Sequence, residues 1–339
     1  MPRHVARRPT LEDVAARAGV GRGTASRVIN GGARVSEKAK AAVEKAIAEL
    51  GYIPNRAARS LATQRTDAVA LVIAEAEERV FGEPFFAGVV RGIGTALAAA
   101  DRQLVLLLAP AERHATLGDY LTRQHVDGVL LLSLHDDNTL PTQIAERGMP
   151  VVLGGGRVPP PAIGFVDNDN EQGARLAVEH MVARGRRVIA TVTGPLDMEV
   201  GRTRLRAYRA ALEAAGLAYH DDLVAPGDFS QSSGEEGMRA LLVRRPDIDA
   251  VFCANDPMAA GALGVLRDAG RRVPEDVSVV GFDDSRIALS THPRLTSVHQ
   301  SPEAMGRAMV DVVLAAIAEP EAALGRRMLP TRLVVREST

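Results

Sequence analysis

Tryptophan is absent, aromatic residues make up only 3% of the 339 residues, and cysteine occurs once, at Cys253. A single thiol excludes an internal disulfide or a cysteine-based zinc site, and the surrounding run AVFCA marks it as a buried strand residue. Lysine is nearly as scarce, with Lys38, Lys40 and Lys45 all close to the start of the chain. No stretch approaches the roughly 18 consecutive apolar residues of a membrane span. The opening MPRHVARRP has no apolar segment behind it, so a cytoplasmic location and no membrane partner are expected. The histidines form no metal-like cluster, and no metal or cofactor is expected. A phosphate loop and a G-x-S-x-G elbow are also missing. Gly21-Arg22-Gly23 follows no strand, and Gly154-Gly155-Gly156 runs into a proline-rich stretch that cannot open a helix. These absences argue against a nucleotide-dependent enzyme or a serine hydrolase.

Charge is present in both signs but divided. Residues 1–66 hold 13 Lys/Arg against 5 Asp/Glu, net +8, while the whole chain has a net charge of −1. A basic head on an acidic body is the footprint of a protein that meets nucleic acid at one end. Within the head, Thr10 and Asp13 approximate a capping box, and Leu11, Val14, Ala15 and Ala18 fall at helical spacing. Gly19 ends that helix and a second runs over residues 22–30, the arrangement of a helix-turn-helix whose second helix enters the major groove. Arg22 and Arg27 suit bidentate contact with guanine, and Thr24, Ser26 and Asn30 suit phosphate oxygens. Gly23 permits close backbone approach. A third helix is expected over 36–50 with Ser36 as its cap, and a short fourth over 56–62, capped by Asn55. Ala58 and Leu61 share the apolar side of the fourth, where Leu61 has the character of a minor-groove wedge.

The pattern T-L-E-D-V-A-x-x-A-G-V-x-x-x-T-x-S-R-V-I-N, followed by V-S and E-L-G-Y-I-P-N-R-A-A-R-S-L, resembles the headpiece of the LacI/GalR family of repressors. The resemblance implies base reading at Arg22, Gly23 and Arg27. It also implies phosphate contacts at Thr10, Thr24, Ser26, Asn30, Ser36, Tyr52 and Asn55, and a minor-groove leucine at Leu61. Gly23 departs from the pattern, since many relatives carry a side chain there.

From Ala68 the text changes to continuous apolar runs alternating with helical stretches. Strands are expected at 103–109, 128–133, 150–153, 163–166, 187–192, 250–254 and 277–282 besides AVALVIA. Helices are expected at 85–100, 172–183, 202–215, 233–243, 258–268 and 302–317. Such alternation specifies parallel doubly wound sheets, and at least eight strands favour two of them with ligand between. The expected architecture is a small all-α helix-turn-helix headpiece plus an α/β core of two doubly wound parallel-sheet lobes. The divisions are a basic arm at 1–9, the headpiece at 10–54, hinge helix and linker at 55–67, and the core at 68–339.

Stretches such as VDNDNEQGARLAVEHM, VFCANDPMAAGAL and VPEDVSVVGFDDS extend the resemblance over nearly the whole chain. It implies a periplasmic-binding-protein-like core whose chain crosses between lobes near 165–170, 291–298 and 322–329. Within the family the chain looks most like cellobiose-responsive repressors. Carry-over of effector contacts lands on Arg202, Asn255, Asp283 and Gln300, with Asp169 near a crossing and Phe85 or Phe86 as aromatic platform. Asp256 and Asp284 read as helix caps or turn residues. The implied function is a homodimeric repressor of a near-palindromic operator, released by a small sugar. A sugar-binding protein without a DNA role and a regulator needing a purine-type co-repressor are the alternatives.

Overall fold

The computed structural model describes residues 9–29, 35–52, 65–109, 114–136 and 138–339. Contacts divide the chain into two units, Met1–Thr66 and Asp67–Thr339. In the first, helix α1 (Leu11–Ala18) begins with a true capping box: Thr10 Oγ1 accepts from Asp13 N–H, and Asp13 Oδ2 accepts from Thr10 N–H. Gly19, at φ 66°, ends it in the left-handed region where a side chain would be strained. Helix α2 (Arg22–Ile29) follows, and α3 (Glu37–Leu50) starts on Ser36, whose Oγ accepts from Ala39 N–H. Val14, Ala15, Ala25, Val43 and Ala46 form a small core, ringed by larger side chains including Leu11, Ile47 and Tyr52.

The second unit contains two six-stranded sheets wound in the same order. The first holds β1 (Ala68–Ile73), β2 (Gln103–Leu108), β3 (Gly128–Leu132), β4 (Val151–Gly154), β5 (Gly164–Asn168) and β11 (Arg326–Leu329), in spatial order β2-β1-β3-β4-β5-β11. All its pairings are parallel. Every residue of β1 is buried, as a strand covered on both faces by helices requires. The second sheet holds β6 (Ile189–Val192), β7 (Val224–Ala225), β8 (Ala250–Cys253), β9 (Ser278–Asp283), β10 (Thr296–His299) and β12 (Arg332–Val334), in order β7-β6-β8-β9-β10-β12. Only β12, antiparallel to β10, breaks its parallel pattern.

Helices of the first lobe are α4 (Glu77–Gly82), α5 (Pro84–Ala99), α6 (His114–Tyr120) and α7 (Leu140–Glu146). Those of the second are α8 (Asn170–Ala183), α9 (Glu199–Ala214), α10 (Gln231–Arg244), α11 (Asp256–Asp268) and α12 (Arg286–Ser290). The long α13 (Pro302–Ala318) returns to the first lobe, where Met305, Met309 and Val313 share a core with Phe86, Val89 and Ile93 of α5.

Three crossings join the lobes, and two expected positions need correction. The first crossing lies after β5, at Asp169, inside the expected window. The stretch expected as a crossing at 291–298 supplies β10 instead, and the chain crosses just after it, at Gln300-Ser301. Residues 326–329 of the third window form β11, so that crossing falls at Pro330-Thr331. Both strands escape a hydropathy reading because they are largely polar, β10 as TSVH and β11 as RRML, the latter at a sheet edge with its arginines exposed.

Candidate nucleic-acid interface and effector cavity

On α2, Gly23 and Arg27 lie on the side opposite the buried Ala25, and Arg22 opens the first turn. Arg22, Gly23 and Arg27 are exposed, and Thr24 and Ser26 are half-buried. Arg22 Nε lies 2.9 Å from Glu12 Oε1, and Arg27 Nε donates to Gly23 O at 3.1 Å, so both guanidinium groups are oriented before any ligand arrives. A Cβ on Gly23 would meet nothing within 4 Å, so its own unit does not require glycine there. Thr10 and Ser36 act as helix caps, and Tyr52 packs on the small core. Asn30, Asn55, Ala58 and Leu61, with the expected hinge helix, lie outside the described residues.

In the second unit a cleft opens between the two lobes, about 670 Å³ of empty space counting its mouth open to solvent, at the carboxyl ends of β3, β4, β5, β8 and β9. Ligands of doubly wound sheets bind at this end, where strand order reverses. Phe85, Asn255, Asp283 and Gln300 line it, as do seven residues the sequence reading passed over: Arg79, Glu83, Asp167, Asn168, Asn170, Arg204 and Phe229.

Arg204 organises the second-lobe wall. It is buried on α9, with its guanidinium carbon 3.5 Å from the centre of the Phe282 ring. Its Nε and Nη2 donate to Asn170 Oδ1 at 3.0 and 2.8 Å, and Nη1 donates to Ala254 O. Three of its five N–H groups are thus spent, leaving two for a ligand. Burial pulls its pKa down to about 10, which still leaves it charged at neutral pH. Asp283, beside it, accepts from Gln300 Nε2 at 2.5 Å, and burial pushes its carboxyl upward against the pull of Arg204. Its backbone has φ 106°, a region that strains any residue with a side chain. Asn168 Oδ1 is buried without a hydrogen-bond partner, an acceptor waiting for a hydroxyl. Desolvation raises Asp167 to about 7 and Glu83 to about 6, so the lining is rich in carboxyls that ionise reluctantly.

Two expected effector residues are elsewhere. Arg202 does not line the cavity: its guanidinium is clamped between Asp136 of the first lobe and Glu199, whose Oε2 lies 2.7 Å from Nη2. Successive helical residues diverge, and Arg204, not Arg202, shares the buried stripe with Ala207, Tyr208 and Ala211. Asp169 also points away from the lining. It caps α8 by accepting from Gln172 N–H at 2.8 Å, and Asp167 takes the place expected of it.

The expected caps are corrected as well. Asn255, not Asp256, caps α11, accepting from Met258 N–H, while its Nδ2 donates to Phe229 O and fixes that loop. Asp256 is buried and accepts from Ser285 N–H and Ser297 Oγ. Ser285 caps α12, and Asp284 instead pairs with Arg336 and His299. Of the two phenylalanines, Phe86 belongs to the core and Phe85 is half-buried against it, edge to face at 5.6 Å.

A cluster of polar contacts clasps the lobes together. Asp136 N–H donates to Asp197 O at 3.0 Å, its carboxylate takes both Nη groups of Arg202, and His135 Nδ1 lies 2.7 Å from Asp197 Oδ2. Arg202 holds the Asp136 carboxyl below its usual range. Among the described residues no helix is long and apolar enough to cross a membrane, and no group of His, Cys, Asp and Glu is placed to hold a metal.

Comparison with known proteins agrees with both halves. Residues 10–55 match the family of bacterial regulatory proteins of the lacI type, and residues 178–339 match a periplasmic binding protein-like domain. The chain is 53% identical to the HTH-type transcriptional regulator CelR of Thermobifida fusca over 335 residues, 98% of each chain. A solved transcriptional regulator CelR–cellobiose complex superposes with a TM-score of 0.78 at 51% identity, covering 98% of this chain and all of that one. The lac repressor dimer bound to operator and the anti-inducer ONPF superposes at 0.84 with 29% identity, covering 98% of this chain and 99% of that one. A headpiece with exposed arginines on its second helix, an inter-lobe cavity and these relatives lead to one conclusion: the chain belongs to the lacI family of bacterial transcriptional regulators.

Proposed function

We propose that this regulator represses transcription from a near-palindromic operator and is released by a small sugar, cellobiose or a related glucoside, so as to control carbohydrate uptake or degradation. The observation that carries the sugar reading is the cavity itself. Arg204, Asp283, Gln300 and the unpartnered Asn168 Oδ1 offer both donors and acceptors, beside the aromatic faces of Phe85 and Phe229. Sugars need this combination, since each hydroxyl both donates and accepts while the ring carbons present an apolar face. A similar chain is known as a complex with cellobiose, which supports that ligand.

On the DNA side, Arg22, Gly23 and Arg27 read bases, and Thr10, Thr24, Ser26, Asn30, Ser36, Tyr52 and Asn55 hold phosphates. Ala58 and Leu61 of a hinge segment at 55–67 enter the minor groove. Two headpieces of a cytoplasmic homodimer meet the two half-sites, as two-fold symmetry demands. The outer strand β2, with Leu106 exposed among four other aliphatic residues, offers one apolar edge for self-association. Sugar in the cavity touches both lobes and therefore favours one lobe arrangement. If that arrangement binds DNA less well, operator binding must weaken sugar binding by the same factor.

The test is affinity for a duplex selected from a random pool, at fixed salt, with and without cellobiose. Release by cellobiose is the expected result. Firm binding that cellobiose leaves untouched overturns the inducer, and absence of selective binding overturns the DNA reading.

A further inference from the structure

The cavity carries a second arginine–carboxylate pair that the second-lobe wall does not explain. Arg79 and Glu83 come from α4 and the start of α5 in the first lobe, and both line the cavity. Arg79 Nη1 donates to Glu75 Oε1 at 2.7 Å, and Nε donates to Glu83 Oε1 at 2.6 Å. Glu75 is itself buried and accepts from Ser133 Oγ at 2.6 Å, so the guanidinium is held from behind. Glu83 sits at the N-cap position of α5 yet makes no capping hydrogen bond, turning back toward Arg79 instead. Three N–H groups of Arg79 and Glu83 Oε2 have no hydrogen-bond partner among the described residues. Across the lobe boundary the Arg79 guanidinium lies 5.1 Å from the centre of the Phe229 ring.

The two lobes therefore present matching chemistry to one cavity. Arg204 with Asp283 on one side and Arg79 with Glu83 on the other each offer free donors beside a carboxylate oxygen. Such a pair suits adjacent hydroxyls, which accept from the guanidinium while donating to the carboxylate. One pair engages one ring, so two facing pairs call for a ligand with two.

We propose that Arg79 and Glu83 form a second hydroxyl-reading subsite, which makes the cavity select a two-ring saccharide over a single ring. This rests on the sugar reading above. The experiment is calorimetric titration of the full chain with cellobiose and with glucose, for the wild type, Glu83→Gln, Arg79→Lys and Asp283→Asn. Glu83→Gln and Arg79→Lys are expected to cut the preference for cellobiose over glucose tenfold or more, with melting temperatures reporting that each variant is folded. Asp283→Asn should lower affinity for both sugars by similar factors. A preference left intact by both first-lobe variants overturns the subsite while the sugar site stands. A wild-type chain that binds neither sugar overturns the sugar site, and the subsite with it.

Discussion

Asp167 is an acid where stability alone would favour a neutral group. The unfolded chain releases its proton near 3.8, whereas burial makes the folded chain hold it to about 7. Between those values the folded state binds more protons, so this residue's contribution falls as pH rises and its full cost is present above 7. Asp167→Asn should therefore raise the melting temperature, with a gain that is small at pH 4 and grows toward pH 8. Thermal unfolding across that range checks it, and a gain independent of pH rejects the buried-acid account. Sugar affinity should fall in the same variant, the usual exchange of stability for function. On the headpiece, Arg27→Ala is expected to cost about 1–3 kcal/mol on the selected duplex and to relax preference at one base pair per half-site. Equal losses on all duplexes would reassign Arg27 to the phosphates. Gly23→Ala should stabilise the headpiece by about 0.5–1 kcal/mol, because the position has open space and glycine weakens helices.

At the scale of elements, α5 and α13 approach closely enough to forbid side chains at their contact. A Cβ on Gly92 would lie 2.2 Å from Glu303 O, and one on Gly306 would lie 2.4 Å from Val89 O. Both obstacles are backbone, so Gly92→Ala must push the helices apart. A loss of about 1–3 kcal/mol in denaturant unfolding is expected, the usual cost of overpacking. The central strands were legible in the sequence because strands buried on both faces must be continuously apolar, as AVALVI is. The long helices were legible from their spacing, with the last start placed at Pro302 as found and the others late by one to three residues. The short α4, α6 and α7 were not, since one or two turns carry too little periodicity to separate from a loop. The same limits govern the cavity. Asn255, Asp283 and Gln300 could be read off because each follows a recognisable strand or lies in a quoted motif. Arg204 required the phase of α9, which the buried Ala207, Tyr208 and Ala211 would have supplied. Asp167, Asn168 and Asn170 fall where the chain crosses between lobes, and there no period predicts which side chain faces inward.

For the whole molecule, the clasp of His135 and Asp136 on Asp197 and Arg202 sets how much work a ligand must do to hold the lobes together. Asp136→Asn removes one charge from it and should weaken sugar binding severalfold at most, because the pair is open to solvent. The deficit should shrink as salt is raised, since screening weakens the wild-type pair too. A deficit insensitive to salt would point to altered packing. The crossings have a mechanical consequence. Asp167 and Asn168 precede the first, Gln300 begins the second, and all three line the cavity. A ligand seated there lies at the fulcrum, where rotation barely displaces it, while points far out on each lobe sweep through a long arc. Lobes turning about those crossings would act as a lever driven from its pivot, with little displacement beside the axis and long travel at the ends.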